Sequence, residues 1–315
     1  MNQKYKPIDA SKLKTFPMAR RAHKVTLEQQ AGLPQKDASI AEFLESFPKF
    51  LGANQLRTLA ETIAAAVKNN RPAFFAMGAH VIKVGCSPII IDLMARNILS
   101  GIVLNGAGGI HDFEMALSGQ TSEEVAETIN NGKFGMTTEA PQALAEAAKL
   151  GKENNLGLAP ALGQIINQRK LPHRNNSLLA AADKYDKLAT MHVAIGTDTV
   201  HMHPEADGAD IGAASLIDFR RLCDAVADLS DGGVWVNIGS SVVLPEVFLK
   251  AVSVARNLGA NLDGMFTANL DMIYHYRPHQ NVLVRPVQPG HSFSITGQHE
   301  ITIPLLRMWL LQLLD

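Results

Sequence analysis

The sequence predicts an α/β fold, a mostly parallel sheet with helices on both faces. Three observations carry that reading. Short apolar runs of strand length alternate with longer segments of helical period along most of the 315 residues. Five of these runs end on glycine or small polar residues just before the chain changes character. Hydrophobic residues make up 46% and charged residues 19%, the balance of a folded globular chain and not of a disordered one.

The elements follow in order. Segments 39–47 and 54–70 read as amphipathic helices. AFFAM (73–77) is a buried strand, and Ser87-Pro88 opens the next helix. GIVLN (101–105) is a second strand, broken by Gly106–Gly109 before IHDFEMAL starts a helix. Thr121 with Glu124 has the spacing of a capping box. Residues 137–187 are mostly helical around a basic loop at 168–176, so a helical insertion is expected near 120–187. Strands are expected at 191–196, 234–239 and 264–268, with helices near 211–228 and 246–257 between them. VLVRP (282–286) and SFSIT (292–296) read as late strands, and residues 301–314 as a closing apolar helix.

Residues 1–36 form a basic arm ahead of a single domain over 37–315. Up to Lys24 the arm carries Lys4, Lys6, Lys12, Lys14, Arg20, Arg21 and Lys24 against Asp9 alone. It is either solvated or laid across a neighbouring subunit. The formal net charge of the whole chain is −1, so no positive field recruits nucleic acid. No apolar run is long enough to span a membrane. Cys86 and Cys223 stand apart, without metal-site spacing, as expected of thiols in a reducing cytoplasm.

In an open parallel sheet the carboxyl ends of the strands share one edge, and ligands bind in the crevice there. Five strand ends rich in small residues therefore point to a nucleotide or dinucleotide crevice. The Gly106–Gly109 turn is not the common dinucleotide fingerprint, because His111 stands where a third glycine would. His111, Asp112 and Glu114 follow that turn directly and are acid/base and binding candidates. His201 and His203, if extended, face the same way and could hold a metal or contact substrate. Lys83, among apolar neighbours, is a candidate nucleophile or base.

The chain resembles the deoxyhypusine synthase family. FFAMGAHVIKVG followed by LNGAGGIHDFEMAL is similar to that family's strand–loop–helix and Ala-Gly-Gly turn. HPEADGADIG, IGSSVV, MFTANL and the closing ITIPLLRMWLLQLL resemble its later motifs in the same order, over residues 55–315. The resemblance implies a Rossmann-like NAD-binding domain and a homotetramer with sites at dimer interfaces. It further implies that Ala107, Gly108, Gly109, Asp207, Gly208, Gly239, Ser240, Thr267 and Ala268 line the NAD site. Members oxidise spermidine with NAD and pass its aminobutyl group, through an imine on a lysine, to a lysine of a translation factor.

The departures are specific. No lysine follows Lys250, and Arg285 sits near the place of the family's imine-forming lysine. Between Asn269 and Val284, where the family has polyamine-binding acids, Asp271 is the one acid, beside His275, Arg277 and His279. Arginine forks suit carboxylate or phosphate. The expectation is therefore a cytoplasmic, oligomeric, NAD-binding enzyme of this class, of transferase or oxidoreductase type. It would act on a small anionic or zwitterionic molecule held by Glu114, Arg277 and Arg285, with no deoxyhypusine made, no nucleic acid bound and no metal. The alternatives are a metal-dependent hydrolase using His201 and His203, and a non-catalytic nucleotide-binding assembly protein.

Overall fold

The structure, a computed structural model, describes residues 4–314. The first three positions of the expected arm and the last residue lie outside the described residues. The chain divides into two compact units, Met1–Phe50 and Leu51–Asp315. The first unit runs through three 3₁₀ turns, Ala10–Lys12, Met18–Arg20 and Leu27–Gln29, into helix α1 (Ile40–Glu45). Ser39 starts α1. Its hydroxyl accepts from the Glu42 amide at 3.2 Å while the Glu42 carboxylate accepts from the Ser39 amide at 2.8 Å. Large apolar side chains of this unit, among them Tyr5, Phe16, Leu27 and Leu33, are exposed.

The second unit begins with α2 (Leu51–Lys68), β1 (Ala73–Met77), the single turn α3 (His80–Lys83) and α4 (Ser87–Ala95). Next come β2 (Gly101–Asn105), α5 (Gly106–Ser118) and the short α6 (Val125–Thr128). Helices α7 (Glu139–Glu153), α8 (Leu158–Gln168) and α9 (Leu178–Lys184) intervene before β3 (Leu188–His192) and α10 (Gly208–Ala227). The chain continues through β4 (Val234–Ile238), α11 (Val243–Asn257) and β5 (Phe266–Asp271). One turn, α12 (Tyr276–Pro278), runs into a π-helical segment, His279–Val284, before β6 (Ser292–Thr296) and α13 (His299–Leu314).

The six strands form one parallel sheet in the order β3-β2-β1-β4-β5-β6. Parallel strands are covered on both faces, which is why β1 and β4 are buried at every residue. On one face Phe74, Ala76 and Trp235 join Leu222, Leu244 and Phe248 of α10 and α11 in a single apolar cluster. The Trp235 and Phe248 rings stack at 4.2 Å and seat α11 on β4. On the other face α2 packs on β1, β4 and β6 and against α13.

Several boundaries differ from expectation for identifiable reasons. Gly106–Gly109 is not a loop but the first turn of α5, because the Asn105 side chain caps it by accepting from the Gly108 amide at 2.9 Å. Thr121 caps nothing; its hydroxyl donates to Glu114, and Glu124 itself stands at the N-cap of α6. Strand β3 starts three residues before Met191, in register with Gly101–Asn105. Residues 282–286 are not a strand: Val282 and Leu283 are buried in the α10–α11 cluster as the end of the π-helical segment. A short apolar run cannot by itself distinguish these two outcomes.

Two buried carboxylates tie elements together from inside. Asp112 of α5 is fully buried and accepts from the Ser177 hydroxyl and the Leu178 and Leu179 amides, at 2.6, 2.6 and 3.0 Å, at the start of α9. Burial pushes its pKa up to about 6, against the pull of those bonds. Asp218 of α10 accepts from the Ala159 amide of α8 and the Met191 amide of β3, each at 2.9 Å. Burial pushes it up to about 7.

Two outcomes follow. A raised folded-state pKa means that the native state holds a proton the unfolded chain has lost, so stability falls as pH rises from about 4 to about 7. Relative to Asp218→Asn, the wild type should lose up to about 1.4 kcal/mol per pH unit across that window, read by urea unfolding at several pH values. A difference that is flat with pH would show Asp218 titrating normally. In the second case, Gly78→Ala should destabilise the protein by about 1–3 kcal/mol, because a Cβ at Gly78 would lie 2.2 Å from the Gly239 carbonyl oxygen. Equal unfolding midpoints would refute the contact.

Candidate functional site

The strand order reverses between β1 and β4, and in sheets of this kind ligands bind outside the carboxyl ends at that reversal. Here the two strand ends touch through backbone. The Gly78 amide donates to the Ile238 carbonyl at 2.9 Å, while on the other side of β4 the Gly239 amide donates to the Leu270 carbonyl of β5 at 3.0 Å. Gly239 has φ +62°, a conformation that favours glycine, and a Cβ there would meet the His299 ring at 2.6 Å. Ser240 is buried, and its hydroxyl accepts from the Leu244 amide at the start of α11. Asn237 donates to the Ser240 carbonyl and to Asn269 Oδ1, tying the ends of β4 and β5 together.

On the β2 and β3 side the edge opens into a cavity of about 570 Å³, within the size range of small-molecule sites. Ala107, His111 and Glu114 from α5 line one wall; Thr197, Asp198 and Thr199 line another, and Lys83 also borders it. Thr121 organises the first wall. Its hydroxyl donates to Glu114 and accepts from Nδ1 of His111. Burial raises the Glu114 pKa, but the His111 and Thr121 hydrogen bonds and the His111 charge outweigh it and leave the carboxyl below its ordinary value.

Asp198 is the least satisfied acid of this wall. Its Oδ2 is buried without a hydrogen-bond partner and lies so close to Gly106 that a Cβ there would be 2.0 Å away. Burial raises its pKa, opposed by His201 and the Ala107 amide. His201 Nδ1 accepts from the Gly196 amide at 3.2 Å, so Nε2 carries the proton, 4.0 Å from Asp198 Oδ2.

The other sequence candidates are spread apart. His201 lies in a 3₁₀ turn, Thr199–Met202, instead of an extended strand, and His203 binds the Gly135 carbonyl at 2.8 Å, so the two rings do not converge. Among the described residues, no three His, Cys, Asp or Glu side chains come together as metal ligands. Asp112 faces the interior, with both oxygens engaged at α9. Gly108 is buried over Leu104 and Asn105, and Gly109 packs on Met191, where a Cβ would lie 2.6 Å from sulfur. Asp207 is exposed and caps α10 through the Ala209 and Asp210 amides, which hold its pKa down; Gly208 follows it in open space.

Thr267 and Ala268 do not end their strand. They pair with Trp235 and Val236, four and three residues before Asp271, and the Thr267 hydroxyl donates to the Val282 carbonyl. The residues that β5 delivers to the edge are Asn269, Leu270 and Asp271. Arg277 Nε donates to Glu246 Oε1 at 3.1 Å, and Arg285 donates to Asn281, which donates to the same Glu246 oxygen. Lys250 first, then Asn281 and Arg277, hold Glu246 below its ordinary pKa.

Sequence reasoning passed over His80 and His299. His299 opens α13, is fully buried and lies 5.6 Å from the His80 ring. Burial lowers its pKa, although the Leu270 carbonyl and Asp271 favour the charged form. One sequence signal pointed to this region: Asn237, Asn269 and Asp271 interrupt strands that are otherwise apolar or small.

Comparison with known proteins gives a relationship of fold. No family model matches the chain, and no curated protein matches it by sequence. Among solved structures, it is similar to a candidate deoxyhypusine synthase from Entamoeba histolytica, with 12% identity over 88% of this chain and 94% of that one and a TM-score of 0.53. A candidate LOR/SDH protein from Methanococcus maripaludis S2 matches at 13% identity over 84% and 71% of the two chains, with a TM-score of 0.52. AgrE in complex with ornithine and NAD+ matches at 10% identity over 82% of this chain, with a TM-score of 0.54. This chain spans only about a third of AgrE, 34% of its length. The shared feature is the α/β fold.

Proposed function

We infer that the chain is an NAD-binding enzyme acting by redox or redox-cycled chemistry on a small anionic or zwitterionic molecule. The observation that carries this reading is the reversal of strand order between β1 and β4, with glycine at both strand ends and an open cavity beside the first turn of α5. A dinucleotide spans such a reversal, one mononucleotide on each half of the sheet. The β2–β3 cavity suits an adenosine: Ala107 leaves space, and the Asp198 carboxylate lines it as an acceptor for a ribose hydroxyl. It does not suit the phosphates, because Glu114, Glu123, Glu139 and Asp198 outnumber Lys83 there. Gly78, Gly239 and Ser240, at the middle of the crevice, would lie nearest them. When bound, NAD would supply the hydride acceptor.

On the other half Arg277 and Arg285 are the cations available to an anionic substrate. AgrE, which shares the fold, holds ornithine with NAD+, a zwitterion beside the cofactor. The absence of any lysine after Lys250 argues against deoxyhypusine synthesis. Assembly as a homo-oligomer, a tetramer by the resemblance, belongs to this reading, supported by the exposed apolar side chains of the first unit. Action in the cytoplasm belongs to it too, supported by two free, buried cysteines. Among the described residues no helix is long and apolar enough to cross a membrane. The metal-hydrolase alternative loses its support with the divergence of His201 and His203.

Titration calorimetry with NAD+ tests the cofactor. The wild type should bind, and Ala107→Leu, which fills the cavity wall, should weaken binding about tenfold or more without lowering the melting temperature. Equal affinity in the two proteins would remove the α5 turn from the site.

A further inference from the structure

We propose that Asp271 and His275 form the acid–base pair of the reaction, at the β5 end of the crevice, and that the substrate is a 2-hydroxy or 2-amino carboxylate. This rests on the cofactor reading above. If the adenosine occupies the β2–β3 cavity, the nicotinamide and the reacting carbon fall on the β4–β6 half. The acid/base candidates legible in the sequence, His111, Asp112, His201, His203 and Lys83, all follow β1, β2 or β3. None lies on the half where hydride transfer would occur.

On that half Asp271 is the last residue of β5, and its Oδ1 accepts from the Met272 amide at 2.8 Å. Its Oδ2 is buried and has no hydrogen-bond partner. Such an acceptor is rare in a native interior, because leaving it unpaired costs about 1–3 kcal/mol. The group it faces is His275, whose Nε2 lies 3.9 Å away and whose side chain is one-third exposed. A base held by a buried carboxylate and open to solvent on its other side has the arrangement general acid–base catalysis needs, and such contacts are often long before substrate binds. Asp271 favours the Nε2–H tautomer, which leaves Nδ1 as the proton acceptor. His275 is thus the catalytic residue and Asp271 the positioning residue.

Arg277, two residues on, is half exposed and engaged with Glu246 through Nε. Its guanidinium can take a carboxylate as a fork, which places an adjacent C–OH or C–NH₂ group near His275. The step then balances. The C–H electron pair would leave as hydride, for which an oxidised dinucleotide, when bound, would supply the acceptor. The O–H or N–H proton passes to Nδ1 of His275, and the substrate leaves with a C=O or C=N bond.

Three measurements on the full chain decide it. In ¹⁵N-histidine spectra of the cofactor-free protein, His275 should be the Nε2–H tautomer, and Asp271→Asn should remove that preference. With NAD+ and a panel of 2-hydroxy and 2-amino carboxylates including ornithine and lactate, His275→Gln should lower kcat about a hundredfold or more while NAD+ affinity by calorimetry stays within about twofold. Arg277→Ala should raise KM at least about tenfold with a smaller change in kcat. A wild-type Nδ1–H tautomer would overturn the pair, as would turnover that survives His275→Gln but is lost in His111→Gln. No turnover of any panel member by a wild type that binds NAD+ would overturn the substrate class. Failure of the wild type to bind NAD+ would overturn the cofactor reading and the hydride step with it, and the tautomer would still decide whether the pair is formed.

Discussion

The contact between Gly78 and Gly239 is the constraint on which the carboxyl edge depends. With the Gly239 carbonyl oxygen where a Cβ of Gly78 would be, β1 and β4 stay hydrogen-bonded one residue beyond their strands. That keeps the sheet continuous at the place where its order reverses. The positive φ of Gly239 then turns the chain so that Ser240 caps the approach to α11 and the His299 ring closes over the backbone. Asn237 holds this turn by donating to both Ser240 and Asn269. Removing side chains at two positions thus brings backbone and polar groups from β1, β4, β5 and α13 within reach of one another.

Four buried acids show that hydrogen-bond accounting separates support from chemistry only together with what faces each oxygen. Asp112 receives three donors, each from the start of α9, so its oxygens have no capacity directed at a ligand. Asp218 receives the amides of Ala159 and Met191 on Oδ2; its Oδ1 has no hydrogen-bond partner either, but it is pressed against Gly157, inside the fold. Asp198 and Asp271 each keep an unpartnered oxygen and each faces a histidine, at 4.0 and 3.9 Å. Both lie just past the carboxyl end of the sheet or at its last residue. Burial raises the pKa of Asp112 and Asp218 as it does that of Asp198, so a perturbed acid alone would not have distinguished the groups.

The sheet was largely legible because buried parallel strands read as near-continuous apolar runs, as AFFAM, GIVLN and VWVNI do. The errors came where local pattern and tertiary demand diverge. Leu188-Ala-Thr-Met-His is only mildly apolar, and its boundaries follow pairing with β2 instead of hydropathy. Strand β5 extends to Asp271 through Asn269, residues that propensity places in a turn. VLVRP lacks any local sign that the chain would coil there. The site was less legible because its histidines are distant in sequence: His80 and His299 meet only through the topology. Clustering along the chain misled at His201 and His203, whose proximity in sequence does not survive the 3₁₀ turn between Asp198 and His203. The Gly106–Gly109 run was visible, but its physical reason was not. Gly106 makes room for Asp198 and Gly109 for Met191, contacts that only the folded chain defines.

The crevice is electrostatically uneven along its length, and the unevenness gives it a direction. Its β2–β3 end carries Glu114, Glu123, Glu139 and Asp198 beside a single exposed lysine. Beyond β5 the chain presents His275, Arg277 and Arg285, with Glu246 neutralising part of that charge. At physiological salt such fields act over about 8 Å in solvent and further where low-dielectric walls confine them. A molecule spanning the crevice therefore meets hydroxyl-accepting carboxylates at one end and carboxylate-accepting guanidinium groups at the other. Reversing it would set its anionic end against four acids. Orientation is thus imposed by charge before any shape-specific contact forms. The same asymmetry sets the carboxylate acceptors of the β2–β3 end apart from the one-third exposed His275 and the half-exposed Arg277 beyond β5.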